Sequence, residues 1–413
     1  MRNNFFIYGG FTVISSGIGF VIIPLLSHYF SKEDFGRIGL FMIAMQLFTP
    51  IVGLSMNSII SRSYHLRDDL ETLLGSALIT IIFISTSVAF LLSIIPDSVY
   101  SYLSIDFQLT MIALLAAFFM IITATFLAIL QMEGRAIQWG VATLINTIVS
   151  AIVTFMLIFL LEVEYMARLI GITLGQALAA FLSYIYVRQT INIKCTKSIE
   201  HYKYFLNLGV PLIFAALSGW ALISIDRVFI ETMLGLDETG VYVFAVTLSS
   251  PVLIILATFT RVWAPAAFKE LASKNEVGLF KRLILAFIAY IFVGLLFSMI
   301  SPYIYKEIIS DDFIPALVLL PWLIIGIVVQ GLQSLLLPFI MNDGDTKIIA
   351  ASALLGIVVN VLCNYFLIPN FGLIGAAVAS ILSSLTMSFI YLLYVSNTYD
   401  FGGIFIKGSR INE

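Results

Sequence analysis

The chain has 413 residues, 61% hydrophobic and 11% charged, against roughly 45–50% apolar and about 25% charged in soluble domains. The apolar residues gather into long blocks with the charges between them, which excludes a soluble globule and leaves a polytopic helical membrane protein. The formal net charge of -3 says little about partners, because acidic and basic residues are segregated by loop.

A hydrocarbon core about 30 Å thick needs roughly 20 helical residues to cross it. Twelve blocks meet that length, beginning with Phe5 to Phe30, Ile38 to Ile60, Thr72 to Ile95, Gln108 to Gln131, Ile137 to Leu161 and Arg168 to Val187. The series continues with Phe205 to Ile230, Thr239 to Ala264, Lys281 to Pro302, Ile314 to Ile340, Ile348 to Ile368 and Gly372 to Tyr394. None of these runs shows the in-out alternation of barrel strands, so all are read as helices. The first exceeds the roughly 7 to 15 apolar residues of a cleavable signal peptide and is expected to remain as a span. Cys195 and Cys363 are too few for a disulfide framework and read as unpaired thiols.

Lys and Arg are retained on the cytoplasmic side. With the N-terminus inside, sixteen of the 21 basic residues fall in cytoplasmic segments, and only Lys32, Arg37, Arg168, Arg227 and Lys306 fall outside. Both termini are therefore expected in the cytosol. The long polar stretch before span seven divides the chain into a six-helix lobe (1–190), a linker (191–204), a second six-helix lobe (205–396) and a cytoplasmic tail (397–413). Several patterns recur between the halves. Glu33 Asp34 Phe35 Gly36 and Asp237 Glu238 Thr239 Gly240 lie 204 residues apart, as do Leu169 Ile170 Gly171 and Leu373 Ile374 Gly375. Gly171, Gly175 and Ala179 are matched by Gly375, Ala379 and Ser383, giving each helix a narrow face for close packing. Glu133 Gly134 Arg135 likewise echoes Asp343 Gly344 Asp345. Parallel repeats of this kind build secondary transporters that rock one half against the other. Pro50 and Pro251, read near mid-span, and Pro24 and Pro211 are candidate hinges, because each removes a backbone hydrogen bond.

Enzymatic chemistry finds no foothold. His28, His65 and His201 lie in separate connections without metal-ligand spacing, and no phosphate-binding glycine loop or His-Glu-x-x-His pattern occurs. Gly17 and Gly19 form an isolated pair within span one and read as helix packing. The short basic loops read as topology determinants and not as a nucleic-acid surface. No metal or cofactor is called for. Ionisable groups inside a membrane cost about 2.5–3.5 kcal/mol and tend to face a wet cavity or a partner. Asp226 and Arg227, near the outer end of span seven, point about 100° apart on a helix and should serve different neighbours. Arg62 and Arg261 end spans two and eight, where guanidinium groups would suit phosphate oxygens in a two-pronged geometry. Arg168 stands beside Glu162 and Glu164. Gln46, Asn57, Asn146, Gln176, Gln330, Gln333, Asn360 and Asn364 add amides within spans, suited to sugar hydroxyls or to interhelical bonds.

Several of these motifs together resemble a known family. They are the Tyr8 Gly9 Gly10 to Pro24 Leu25 span followed by Phe35 Gly36, the Asp226 Arg227 Val228 Phe229 Ile230 stretch, the Asn342 Asp343 Gly344 Asp345 Thr346 Lys347 turn, and Gly372 Leu373 Ile374 Gly375 Ala376 Ala377. They are similar to those of Wzx-type O-antigen flippases, in the polysaccharide-transporter branch of the MOP (multidrug/oligosaccharidyl-lipid/polysaccharide) exporter superfamily. The resemblance implies an all-α, MATE-like bacterial inner-membrane protein that moves an undecaprenyl-diphosphate-linked oligosaccharide from the cytoplasmic to the periplasmic leaflet by alternating access. It also implies a polysaccharide polymerase and a chain-length regulator as partners beside the lipid bilayer. On that resemblance Arg62, Arg227 and Arg261 would hold the substrate and Asp226 would serve ion or proton coupling. The chain is sparing with charge in mid-span, unlike a strongly cationic lumen. A cation-coupled small-molecule exporter of the same superfamily is an alternative. A membrane O-antigen polymerase or ligase is another, although it would call for a sizeable arginine-bearing external loop that this sequence lacks.

Overall fold

The computed structural model describes residues 2–64, 69–96, 106–161, 163–273 and 276–399. The helices are α1 (Arg2–Leu26), α2 (Lys32–Gly53), the short α3 (Met56–Ser63), α4 (Leu70–Ile94), α5 (Phe107–Met132) and α6 (Ala136–Leu161). They are followed by α7 (Tyr165–Arg188), α8 (Ile199–Leu234), α9 (Leu236–Ala272), α10 (Glu276–Lys306), α11 (Ile314–Asp343) and α12 (Thr346–Thr398). Eleven of them are long and apolar enough to cross a membrane, and no strand occurs among the described residues. The fold is all-α. Of the tail expected over 397–413, the residues after Tyr399 lie outside the described ones, as do His65 and Glu162.

Twelve crossings and eleven long helices are reconciled in α12. Its 53 residues would extend about 80 Å at 1.5 Å per residue, more than twice the membrane core. The helix is folded at Gly372, whose φ of 57° and ψ of -138° lie outside helical values. A glycine is required there, because a side chain would clash at positive φ. The two arms run back along each other: Asn360 Nδ2 lies 3.5 Å from Ser380 Oγ, and Ser383 Oγ donates to the Gly356 carbonyl at 2.8 Å. A Cβ on Gly375 would strike the Leu367 backbone. The expected small-residue face is thus what lets the arms approach.

The chain forms two compact units, Met1–Trp220 and Ala221–Glu413. The boundary falls inside α8, past the polar 191–204 connection. In the first unit that connection is strapped to the start of α4. The backbone N–H of Lys194 donates to the Glu71 carbonyl at 3.1 Å, Ser76 Oγ donates to the Thr196 carbonyl at 2.7 Å, and His201 Nε2 lies 2.8 Å from Asp69 Oδ2. Further along α8, Trp220 Nε1 donates to the Ile43 carbonyl at 3.1 Å. The first half of α8 therefore belongs with α2 and α4.

Small residues also set the seam between α6 and α7. A Cβ on Gly171 would meet Ser150 and Thr154, and one on Gly175 would meet Asn146. Each unit thus uses the Gly171/Gly375 correspondence for close helix packing. Gly134 and Gly344 end α5 and α11 in the left-handed region, at φ 71° and 75°, and satisfy carbonyls of the last turn as glycine C-caps do.

The second span departs from expectation. The sequence placed it over Ile38 to Ile60, but α2 begins at Lys32, because Ser31 and Asp34 form a reciprocal capping box, and it ends at Gly53. Leu54 and Ser55 then adopt φ of 45° and 53°, and α3 carries the chain on. Left-handed non-glycine residues cost roughly 1–2 kcal/mol each. Burial of Val52, Leu54 and Met56 in the first unit's core holds them there, with Gly209 of α8 leaving no Cβ against Leu54. Pro50 consequently stands near the C-terminal end of α2, not in mid-helix as expected. Pro24 is similarly near the end of α1, while Pro211 and Pro251 are interior to α8 and α9.

The folded α12 is checked by cysteine accessibility in a chain whose Cys195 and Cys363 are replaced. Asn370→Cys should react with an impermeant maleimide from the periplasmic side, whereas Asp345→Cys should react only after permeabilisation. Labelling of both from one side would mean that the first arm of α12 does not cross.

Candidate functional site

The second unit concentrates the polar chemistry around Asp226. This residue lies on the last part of α8 and is 6% exposed. Its Oδ2 accepts a short hydrogen bond from the Tyr242 hydroxyl of α9, at 2.6 Å, and lies 3.4 Å from the donating Ser380 hydroxyl on the second arm of α12. Its Oδ1 accepts the backbone N–H of Arg227 at 2.9 Å. Asn360 reaches Ser380 from the first arm, and Asn364 donates to Asn360 Oδ1 at 2.9 Å. The two asparagines are four apart and share a helix face. Three helices thus converge on one carboxylate, and the fold at Gly372 brings the α12 arms into register.

The donor set consists of oxygen and amide groups: a carboxylate, a phenol, hydroxyls and two carboxamides. Oxygen ligands suit a proton or a hard cation, and none of these side chains is a soft metal ligand. Asn364 is fully buried, and its Oδ1 has no hydrogen-bond partner. Ser224 Oγ, on the same stretch of α8 as Asp226, is also buried without a partner. Buried polar atoms are normally paired, so Asn364 Oδ1 gives the cluster unused capacity for a small polar guest, whereas Ser224, two residues before Asp226, is turned about 200° from it around α8. Among the described residues no group of three or more His, Cys, Asp or Glu side chains could hold a metal ion.

The expected cationic residues are distributed differently. Arg227 is half-buried beside the cluster, and its Nε is buried without a hydrogen-bond partner. Arg261 is exposed on α9, well before the helix ends at Ala272. Arg62 belongs to the first unit, exposed in the last turn of α3. Asp226 and Arg227 do serve different neighbours: the carboxylate turns to Tyr242 and Ser380, and only the backbone of Arg227 reaches it.

Sequence reasoning singled out Asp226, Asn360 and Asn364 but missed Tyr242 and Ser380. The only signal was indirect, in that a carboxylate inside a span demands a donor on a neighbouring helix. Arg168 was also undervalued. It is 8% exposed in the first unit, where its NH1 donates to Ser150 Oγ at 3.1 Å, and Nε has no partner. The nearby Glu164 is exposed.

Residues 1–271 match the polysaccharide biosynthesis protein family. The chain belongs to that family. A protein named "Uncharacterized membrane protein" from Haemophilus influenzae is 21% identical over 258 residues, 62% of this chain and 62% of that relative, so the match spans less than two thirds of it. A protein named "Putative O-antigen transporter" from Shigella flexneri is 24% identical over 330 residues, 73% of this chain and 76% of its own length. Among solved structures, the lipid II flippase MurJ in an inward closed conformation aligns with a TM-score of 0.75 at 16% identity, covering 94% of this chain and 87% of that one. An inward-facing multidrug resistance MATE family transporter of the MOP superfamily aligns with a TM-score of 0.73 at 14% identity, covering 93% of each. The fold is MATE-like, and the chain is a multi-pass membrane protein.

Replacing Tyr242 by Phe removes the shortest hydrogen bond to a buried carboxylate, a change worth about 1–3 kcal/mol. A thermal melt of the detergent-solubilised protein should show a midpoint lowered by a few degrees. An unchanged midpoint would mean that Asp226 does not depend on that hydroxyl.

Proposed function

We propose that the chain is a flippase that carries an undecaprenyl-diphosphate-linked oligosaccharide from the cytoplasmic to the periplasmic leaflet by alternating access. The observation that carries this reading is membership of a polysaccharide biosynthesis family on a fold that a lipid II flippase also adopts. The Shigella flexneri relative, named for O-antigen transport, supports the same substrate class. Transport is favoured over catalysis because the polar residues around Asp226 bind and neutralise, while Ser76, which meets His201 at 2.8 Å, is fully buried and donates its hydroxyl to the Thr196 carbonyl.

In this reading the diphosphate meets Arg62 of the first unit, and Arg227 and Arg261 of the second, at separate stages of its passage, and each planar guanidinium group matches phosphate oxygens better than an ammonium does. Asp226, with Tyr242, Ser380, Asn360 and Asn364, is the coupling site. A proton or hard cation arriving there neutralises a carboxylate that is costly to keep charged in the membrane, so the energy of the second unit depends on occupancy. Pro24, Pro50, Pro211 and Pro251 are places where helices α1, α2, α8 and α9 can bend. A polymerase and a chain-length regulator would act on the product in the outer leaflet.

A cation-coupled exporter of small organic cations is the second reading, favoured by the fold shared with a multidrug MATE transporter and by the buried acid Asp226. The two are separated by reconstitution into vesicles with leaflet-resolved detection of a labelled polyprenyl-diphosphate oligosaccharide. Protein-dependent movement is expected. Failure to move any such lipid, with uptake of an organic cation instead, would replace the first reading by the second.

Two variant sets follow. Arg227→Ala and Arg261→Ala should slow lipid movement at least tenfold, a loss of about 1.4 kcal/mol or more, while the Arg→Lys forms retain more activity because the charge survives. Equal rates in all four, at matched reconstitution, would remove these arginines from the substrate path. Asp226→Asn should abolish the dependence of transport on an imposed ion or proton gradient, and a gradient response that persists would remove Asp226 from coupling.

A further inference from the structure

The second unit contains a cavity of about 300 Å³ between α9, α11 and α12, and neither the coupling cluster nor the arginines account for it. It is formed by two helix faces of the same spacing. Leu253, Leu256, Ala257 and Thr260 line it from α9, and Gln330, Gln333, Ser334 and Leu337 from α11, each at intervals of three and four residues. Tyr391 of α12 completes the wall. An apolar span tolerates two glutamines and a serine on one face only where they meet something other than acyl chains.

One of these amides is already oriented. Gln333 Nε2 donates to the Ser384 carbonyl at 2.8 Å, which fixes Nε2 as a committed donor and leaves Oε1 as an acceptor. Gln330 is exposed, and its side chain has no partner among the described residues, leaving two donors and an acceptor at the cavity. Thr260 is 3.0 Å from the Tyr290 hydroxyl and also bonds the Leu256 carbonyl at 3.0 Å. The lining thus offers amide and hydroxyl groups against Leu, Ile and Tyr walls, and contains no Lys, Arg, His, Asp or Glu.

That combination selects a class of guest. A phosphate would be stripped of water with no cation to receive it, at a cost of several kcal/mol. A plain acyl chain would leave the Gln330 amide unpaired. A sugar ring has hydroxyl edges for the amides and apolar faces for the leucine and tyrosine walls. At about 30 Å³ per water the volume equals roughly ten waters, the lower end of the roughly 300–1,000 Å³ of small-molecule sites. It admits a ring and not a whole repeat unit.

We propose that this cavity binds one uncharged sugar ring of the lipid-linked substrate, with Gln330 as its principal hydrogen-bonding group. The proposal rests on the flippase reading and deepens it. Arg261 follows Thr260 on α9, turned about 100° from it around the helix, and so lies beside the cavity, placed to meet a phosphate while the attached sugar is inside.

The test uses the full chain in vesicles and two probes: a polyprenyl diphosphate carrying one N-acetylhexosamine, and the same lipid diphosphate without sugar. Gln330→Leu keeps the size of the side chain and removes its hydrogen bonds. It should slow movement of the sugar-bearing lipid about tenfold and leave the sugar-free lipid within about twofold of wild type. Ala257→Phe fills the cavity from α9 at an exposed position and should reproduce that selectivity, and melting curves check that both variants are folded. If wild type moves both lipids and both folded variants slow them equally, or not at all, the cavity is not a sugar site and the flippase reading stands. If wild type moves neither lipid, the flippase reading falls and the sugar site with it.

Discussion

A bilayer interior offers no water to a peptide group, so each amide and carbonyl within it must be satisfied inside the protein. Every structural decision described above is made under that constraint. Long helices meet it for most residues, and departures from helical geometry are confined to a few places. Gly134 and Gly344 cap helices. Gly372 folds α12, and Leu54 and Ser55 break the path from α2 to α3. Each departure is compensated locally, by carbonyl capping, by close contact between small residues, or by burial of the flanking apolar side chains.

The same constraint governs side chains. A carboxylate without water needs donors, and Asp226 finds them on two other helices and in the backbone N–H of Arg227. The arms of α12 lie close enough for Asn360 to meet Ser380, the hydroxyl that reaches the acid, and that closeness depends on Gly356 and Gly375, where a Cβ would strike the opposite arm. Packing and polarity are thus one arrangement: the residues that lack side chains allow the polar residues to reach each other. Loss of a small residue in the hairpin would act on the carboxylate at a distance.

Hydropathy made the spans legible, since a block of twenty apolar residues has few other fates, and the paired motifs at Gly134/Gly344 and Gly171/Gly375 pointed to equivalent turns and seams in both halves. The left-handed pair at Leu54 and Ser55 was not legible. Neither residue is a turn former, and the break is stabilised by packing against α8, more than 150 positions away. The union of Asp226 with Tyr242 and Ser380 was hidden for the same reason, because helix crossing decides which hydroxyl meets the acid. His201 appeared to be a lone loop histidine, yet it joins Asp69 and Ser76 in fastening the polar connection to α4. The cavity-lining glutamines were visible as amides in a span, but not that Gln333 would be committed to a carbonyl and Gln330 left free.

The order in which the pieces of the Asp226 cluster leave the ribosome bears on biogenesis. Synthesis at roughly 5–20 residues per second supplies Tyr242 within about three seconds of the acid, but Ser380 only on the order of ten seconds or more afterwards. During that interval the nascent carboxylate has a phenol from the adjoining helix as its companion while the final helical pair is still untranslated. The short connection between α8 and α9 thus sets the acid's first donor close behind it in the chain, while its other side-chain donor comes from the last helix made.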